Sequence, residues 1–290
     1  MNSEFLTLYD TPAPERAGML LGVSGWMDGG EVSIGAIDYL LDTHPARLVA
    51  KIDPEPFYLL NFPGSMEVSA LIRPPAQIED GLVRSIEMPS SRLHFCEAPE
   101  MFLLQAREPN FAWRRYADCL FSLTSRYRVD TLCFVGSVAG IVPHSRAPKV
   151  RATVSEPSLL PILERHDIEP TNYEGPASFL TYLLQRAPDE GIRMYSLVVE
   201  IPAYIQGRNF KCIDAVLRNA AALLDLELNL DPLQLLGAAM DEQLQATLRE
   251  RPDLAKLLRR IEDEYDRETL DSQDEELRDW FEKQGFRFMQ

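Results

Sequence analysis

Long apolar runs are missing from the 290 residues. None reaches the roughly 18 needed for a spanning helix, so a membrane protein of that kind is not expected. The opening Met1-Asn2-Ser3-Glu4-Phe5 has no basic segment and no signal-type apolar core, which points to a cytoplasmic location. Positive charge is also scarce. Lys and Arg number 29 against 45 Asp and Glu, a formal net charge of −16 that repels nucleic-acid phosphates and anionic lipid headgroups. No Lys/Arg cluster with interleaved aromatics offsets it, so neither nucleic acid nor membrane is an expected partner. Cys96, Cys119, Cys133 and Cys212 stand far apart with no C-x-x-C pair, three of them inside apolar runs, and read as small buried residues. His44, His94, His144 and His166 show no H-x-x-x-H or mixed Cys/His spacing, so no metal is expected.

What remains is the composition of a globular chain, 46% hydrophobic and 26% charged, long enough to bury a large core without staples. Met19–Val23 is a short apolar strand running into the glycine-rich segment from Gly22 to Gly30. Val32, Ile34, Ala36, Ile37, Leu40 and Leu41 then recur at helical steps, and Leu48–Ile52 follows as a strand. This βαβ-like opening argues for an α/β sheet. Between Phe57 and Cys96 the pattern breaks into short runs (Tyr58–Phe62, Val68–Ile72, Leu82–Glu87, Leu93–Cys96), read as strands separated by Pro and Gly turns. Phe111–Tyr127 is helical. Thr131–Val135 is a strand covered on both faces and ends in a second small-residue loop, Gly136 to Arg146. Further strands are expected at Val150–Val154 and Met194–Val199, with helices at Ser158–Arg165, Gly175–Arg186 and from Ile213 to Leu224.

Beyond residue 230 every periodic segment is helical. Asp231-Pro232 reads as a cap with proline in the first turn, and Ser272-x-x-Glu275 as the start of a last short helix. Leu254, Leu257, Leu258, Ile261 and Tyr265 form one apolar stripe, with Leu277, Trp280 and Phe281 continuing it, while acids such as Glu262, Asp263 and Asp266 crowd the other face. The expected division is an α/β domain over 1–230 and an acidic amphipathic helical tail over 231–290.

Two glycine loops are the candidate sites. Gly22–Gly30 precedes a helix, where exposed amides can hold an anion, yet it matches neither G-x-G-x-x-G nor the Walker pattern, and Asp28 brings negative charge. A tight helix-capping turn and a ligand loop both stand as readings. Ser24 lacks the second glycine of a nucleophile elbow, so no catalytic residue is assigned. Pro143-His144-Ser145-Arg146 follows a buried strand, where α/β proteins place contact residues, and suits an anion, a carboxylate or a partner's backbone as well as a plain solvated connection. Tyr173-Glu174-Gly175-Pro176 joins an aromatic and an acid to a turn. Trp26 either fills a pocket at the sheet edge or faces a partner. The candidate rim is therefore Trp26, Asp28, Gly29, His144, Arg146, Tyr173 and Glu174, expected at one edge of the sheet.

Taken in order, these segments resemble the proteasome assembly chaperone family, and in particular its bacterial members. The resemblance rests on Gly25-Trp26-Met27-Asp28-Gly29-Gly30, Glu108-Pro109-x-x-x-Trp113-Arg114, Gly136 to Pro143-His144-Ser145-Arg146, Tyr173-x-Gly175-Pro176 and Ile201-Pro202-Ala203-Tyr204. It covers roughly residues 5–235. It implies a three-layer αβα sandwich with a mixed, phosphorylase/hydrolase-like sheet, a C-terminal helical appendage, self-association as a homo-oligomer such as a trimer, and a non-enzymatic role as assembly chaperone or scaffold for a protein client, with no cofactor. In relatives the C-terminus can dock on the proteasome through a hydrophobic–Tyr–any ending; Phe288-Met289-Gln290 departs from it at Met289. The alternative is a small-molecule or nucleotide site at the glycine loops with hydrolase- or ligase-related activity.

Overall fold

The computed structural model describes residues 4–14 and 17–283, with side chains described as far as Arg267. The first half of the chain forms β1 (Leu6–Leu8), β2 (Ala17–Ser24), α1 (Val32–Thr43), β3 (Ala46–Ile52), α2 (Met66–Ala70), β4 (Ala76–Glu79), β5 (Leu82–Ile86), β6 (Ser91–Glu97), β7 (Glu100–Arg107) and α3 (Trp113–Tyr127). The second half forms β8 (Val129–Gly140), β9 (Val150–Val154), α4 (Leu160–Arg165), β10 (Glu169–Pro170), α5 (Phe179–Arg186), β11 (Arg193–Pro202), α6 (Phe210–Leu224), α7 (Asp231–Glu250) and α8 (Pro252–Lys283).

Nine strands share one mixed sheet in the order β1-β3-β6-β7-β2-β8-β11-β9-β10. Its centre, β7-β2-β8-β11, is parallel; β6 runs against both of its neighbours, β3 and β7, and β9 runs against β11. Because side chains alternate along a strand, the central strands feed two cores. Met19, Leu21, Leu132 and Phe134 meet α3 and α5 on one face, with Tyr116, Leu120 and Leu183. Leu20, Cys133 and Val135 meet α1, α4 and α6 on the other, with Ile37, Leu163, Ile213 and Val216. Leu233 of α7 joins this second core. This is the three-layer α/β architecture the sequence implied.

Several local readings are corrected. β2 and β3 point the same way but are not neighbours, since β6 and β7 lie between them. β7, a central strand, has no counterpart in the sequence reading. Tyr58–Phe62 is not a strand: Phe57 and Tyr58 turn into the core, and the Tyr58 hydroxyl donates to the Arg107 carbonyl. Val68–Ile72 is helical at its start, closed by Ser69 N–H donating to the Ser65 carbonyl. β8 continues through Gly140, because β11 pairs with it in parallel to its end at Pro202. α5 starts at Phe179 instead of Gly175, capped by Ser178, whose Oγ accepts from Thr181 N–H. In α7 the cap is Leu230, with Asp231 already helical. Ser272 and Glu275 lie inside the continuous α8 and start no new helix.

Strand direction decides where connections emerge. β2, β3, β7, β8 and β11 point the same way. The segments after Ser24, Ile52, Arg107, Gly140 and Pro202 therefore all leave from one end of the sheet.

Candidate functional site

At that carboxyl end the first glycine loop is tied down from within. Asp28 Oδ1 accepts from the N–H groups of Ser33 (2.7 Å) and Ile34 (3.3 Å), taking up amides at the start of α1 that an anion would need. Ser33 Oγ accepts from Val23 N–H and donates to the Val135 carbonyl, joining α1 to β2 and β8. Ser137 N–H donates to the Met27 carbonyl, and Ser137 Oγ to that of Gly29. Burial pushes the Asp28 carboxyl up to about 6 despite the two amides that favour its charged form. The geometry is that of a capping turn and does not favour a phosphate cradle.

Glu108 supplies a second tie. One of its oxygens accepts from Trp26 N–H (3.2 Å) and the other from Phe179 N–H (2.7 Å), so a single carboxylate holds the glycine loop and the start of α5 together. Gly25, at φ +134°, adopts a conformation that side chains rarely take, and it lies against the Glu108 side chain. Trp113 Nε1–H donates to the Pro109 carbonyl while its ring packs on Phe179 and Tyr182. The Glu108-Pro109-x-x-x-Trp113 pattern is thus a clamp, whereas the Trp26 ring itself is 63% exposed.

The His144 loop borders a cleft of about 320 Å³. His144 is 5% exposed; its backbone N–H donates to the Tyr204 hydroxyl (2.8 Å), and Nδ1 lies 2.9 Å from the same oxygen. Lys211 Nζ bridges the His144 carbonyl (2.6 Å) and Asp241 Oδ2 (2.9 Å). Burial lowers the His144 pKa below its ordinary value, with nearby Asp241 opposing. Its ring therefore bonds a tyrosine and no serine. Arg146 forms a two-pronged pair with Asp266 of α8 (2.9 and 2.8 Å), with Glu262 at 3.8 Å, and Ser145 Oγ donates to Glu262. Lys149 Nζ sits 5.5 Å from the Tyr265 ring centre. Cys212, which also lines the cleft, is an inert thiol whose pKa burial raises to about 12.

Among the sequence-derived candidates, the structure brings Asp28 and Gly29 to Ser137 on β8, and places His144 and Arg146 further along the same chain segment. Tyr173 is exposed and donates to the Pro176 carbonyl, Glu174 is exposed, and neither lines the cleft. Phe288, Met289 and Gln290 lie outside the described residues. Sequence reasoning missed Glu108 as a clamp, and it missed Lys211, Asp241 and Met240 around the cleft. The acidic face of the tail, which suits water or a basic partner, finds one here: Glu262 and Asp266 both turn to Arg146. The Glu262/Asp266 spacing of four was the available signal, but its partner lies about 120 residues upstream. Among the described residues, no group of three His, Cys, Asp or Glu could hold a metal, and no helix is long and apolar enough to cross a membrane.

The three-layer arrangement of helices around a mixed nine-stranded sheet matches proteasome-assembly chaperone-like structures. The chain belongs to the PAC2 family, whose model matches residues 22–248. A proteasome-assembly chaperone homologue of Mycobacterium tuberculosis is similar at 25% identity and a TM-score of 0.72, over 82% of this chain and 98% of that one. A PAC2 family protein of Streptomyces avermitilis is similar at 24% identity and a TM-score of 0.69, over 80% and 95%. An archaeal proteasome activator of Pyrococcus furiosus shares the fold at 16% identity and a TM-score of 0.60, over 83% and 97%. No curated protein matches the chain.

Proposed function

We propose that this chain is a non-enzymatic assembly chaperone or scaffold that works as a homotrimer in the cytoplasm and binds a protein client. One observation carries the reading: large apolar side chains are exposed on connections leaving the carboxyl end of the sheet. Trp26 is 63% exposed, Phe111 50% and Ile141 81%. The excursion between β3 and β6 is richest, with Met66 and Leu71 more than 80% exposed and Ile78, Leu82, Val83 and Ile86 all above half. A two-stranded sheet such as β4-β5 is marginal by itself in water and gains most from being covered. We assign this excursion to contact between copies, and the Trp26 rim, with Asp28, Gly29, His144 and Arg146 behind it, to the client. The tail over 231–290 works as an appendage to the 1–230 domain, with Leu233 of α7 seated in that domain's second core and α8 as its outer arm. The chaperone homologue and the archaeal activator among the similar structures support the same role.

Light scattering tests the assembly. A trimer at micromolar concentration is expected, falling to monomer when Ile78 and Leu82 are both changed to Glu; a monomeric native chain overturns the reading. Native capture with mass spectrometry tests the client. A stoichiometric partner lost on Trp26→Ala is expected, and recovery of the chain alone counts against a chaperone role.

A further inference from the structure

The segment from Pro143 to Lys149 is gripped by the chain's own tail in a particular way. Glu262 and Asp266 are four apart on α8, hence on one helix face. Together with Tyr265 they meet Ser145, Arg146 and Lys149 in turn. The Arg146–Asp266 contact is a planar two-pronged pair, the geometry by which arginine selects a carboxylate. Yet the attachment is shallow. Arg146 and Asp266 side chains are 38% and 48% exposed, and ion pairs so open to water are weak and exchange readily. Leu254 and Leu257, expected apolar anchors of α8, are exposed, and among the described residues of that stripe Leu258 alone is fully buried, with Ile261 and Tyr265 half-buried. A single non-helical residue, Arg251, joins α7 to α8.

The resident helix also leaves the cleft incompletely satisfied. His144 Nε2, at the cleft, is buried without a hydrogen-bond partner. An orphaned buried polar atom is costly, and with Nδ1 already bonded to the Tyr204 hydroxyl, Nε2–H is free to donate to a carboxylate of an incoming helix. We infer that the Pro143–Lys149 loop is a docking site for an acidic helix of another protein, presenting carboxylates four residues apart, and that α8 is the intramolecular competitor that holds the site closed. Charge complementarity fixes the occupant's chemistry: the loop presents Arg146 and Lys149, and the resident ligand reads Glu262-Asp263-Glu264-Tyr265-Asp266. This rests on the assignment of His144 and Arg146 to a client and names that client's chemistry, and it is independent of the self-association reading.

The test uses the full chain with Glu262→Lys and Asp266→Lys, which unlatches α8 and leaves the loop intact, and a labelled synthetic peptide of residues 252–267 as probe. The unlatched chain is expected to bind the peptide at least about tenfold more tightly than the native chain, and adding Arg146→Glu is expected to remove the gain. Circular dichroism and melting curves matching the native chain show that the fold is retained. Equal affinity in native and unlatched chains, or binding that survives Arg146→Glu, overturns the proposal. A second arm mixes Arg146→Asp with Asp266→Arg chains, each unlatched alone. If mixing restores a latched hetero-assembly, the loop's occupant is α8 of a second copy, and the assignment to another protein falls.

Discussion

β8 and the β4-β5 pair are both strands, yet they solve opposite problems. β8 is flanked by β2 and β11 and covered by helices on both faces; Leu132, Cys133, Phe134 and Val135 are fully buried. β4 and β5 pair only with each other, and nearly every residue in them is exposed. The same β-forming residue types therefore serve a core in one place and a surface in the other. Apolar content in a strand says that something must cover it, and topology decides whether the cover comes from the chain itself.

The largest effect that sharpens this contrast belongs to the buried sheet. Phe102→Ala in β7 should cost about 3–5 kcal/mol in denaturant unfolding, because it empties a fully enclosed site beside Phe95 and Tyr127. Leu82→Ala in the exposed pair should change monomer stability by less than about 0.5 kcal/mol. Equal costs for the two would erase the distinction. Gly22→Ala comes next, at about 1–3 kcal/mol, since an added Cβ would sit 2.7 Å from the Ser33 carbonyl oxygen and closer still to Ile37; an unchanged melting curve would show that α1 can retreat from β2.

Smaller effects concern the tied loop. Asp28→Ala should lose about 1 kcal/mol by orphaning the Ser33 and Ile34 amides. Asp28→Asn keeps an acceptor and changes the pH profile instead. With the folded carboxyl near 6 and an ordinary value of 3.8, the folded state holds the extra proton between them. Stability from this group is therefore complete below about 3.8 and lost as pH rises through about 6. The Asn variant should flatten that decline in unfolding free energies measured from pH 4 to 7. The smallest signal is that of His144. Its pKa is lowered by burial, so its contribution is present above the ordinary value of 6.5 and lost as pH falls through the folded pKa. An NMR titration should show its ring neutral at pH 6.5, and a midpoint above 6.5 would contradict the buried placement.

What was readable in the sequence follows the same division. Continuous apolar runs such as Thr131–Val135 and the helical steps of α1, α3 and α6 announce elements whose partners surround them, and all are found. β7 escaped because Met101–Leu104 sits just after β6 with only two residues between, and no glycine loop or helix separates it as a unit. The Phe57–Tyr58 turn failed for the opposite reason, since its aromatics answer to tertiary contacts, with Phe57 stacked edge-on to Tyr116, while α2 is a short exposed helix whose apolar residues meet no core. At the site, Tyr204 was visible within a motif, and its bond to His144 explains the motif. Lys211 and Asp241 were invisible, because side chains on different helices meet only once the layers are assembled.

The order β7-β2-β8 carries a consequence for synthesis. β2 is among the first strands to be made, yet both its neighbours are encoded about 80 and 110 residues later. While the ribosome works through that stretch, Met19–Val23 has neither ladder, and its apolar side chains wait in water. The centre of the sheet cannot start to close until β7 emerges, and it is complete only once β8 and β11 follow, so its ladders are long-range and slow to form. Nascent chains halted before Gly140 are thus the species most in need of a chaperone of their own.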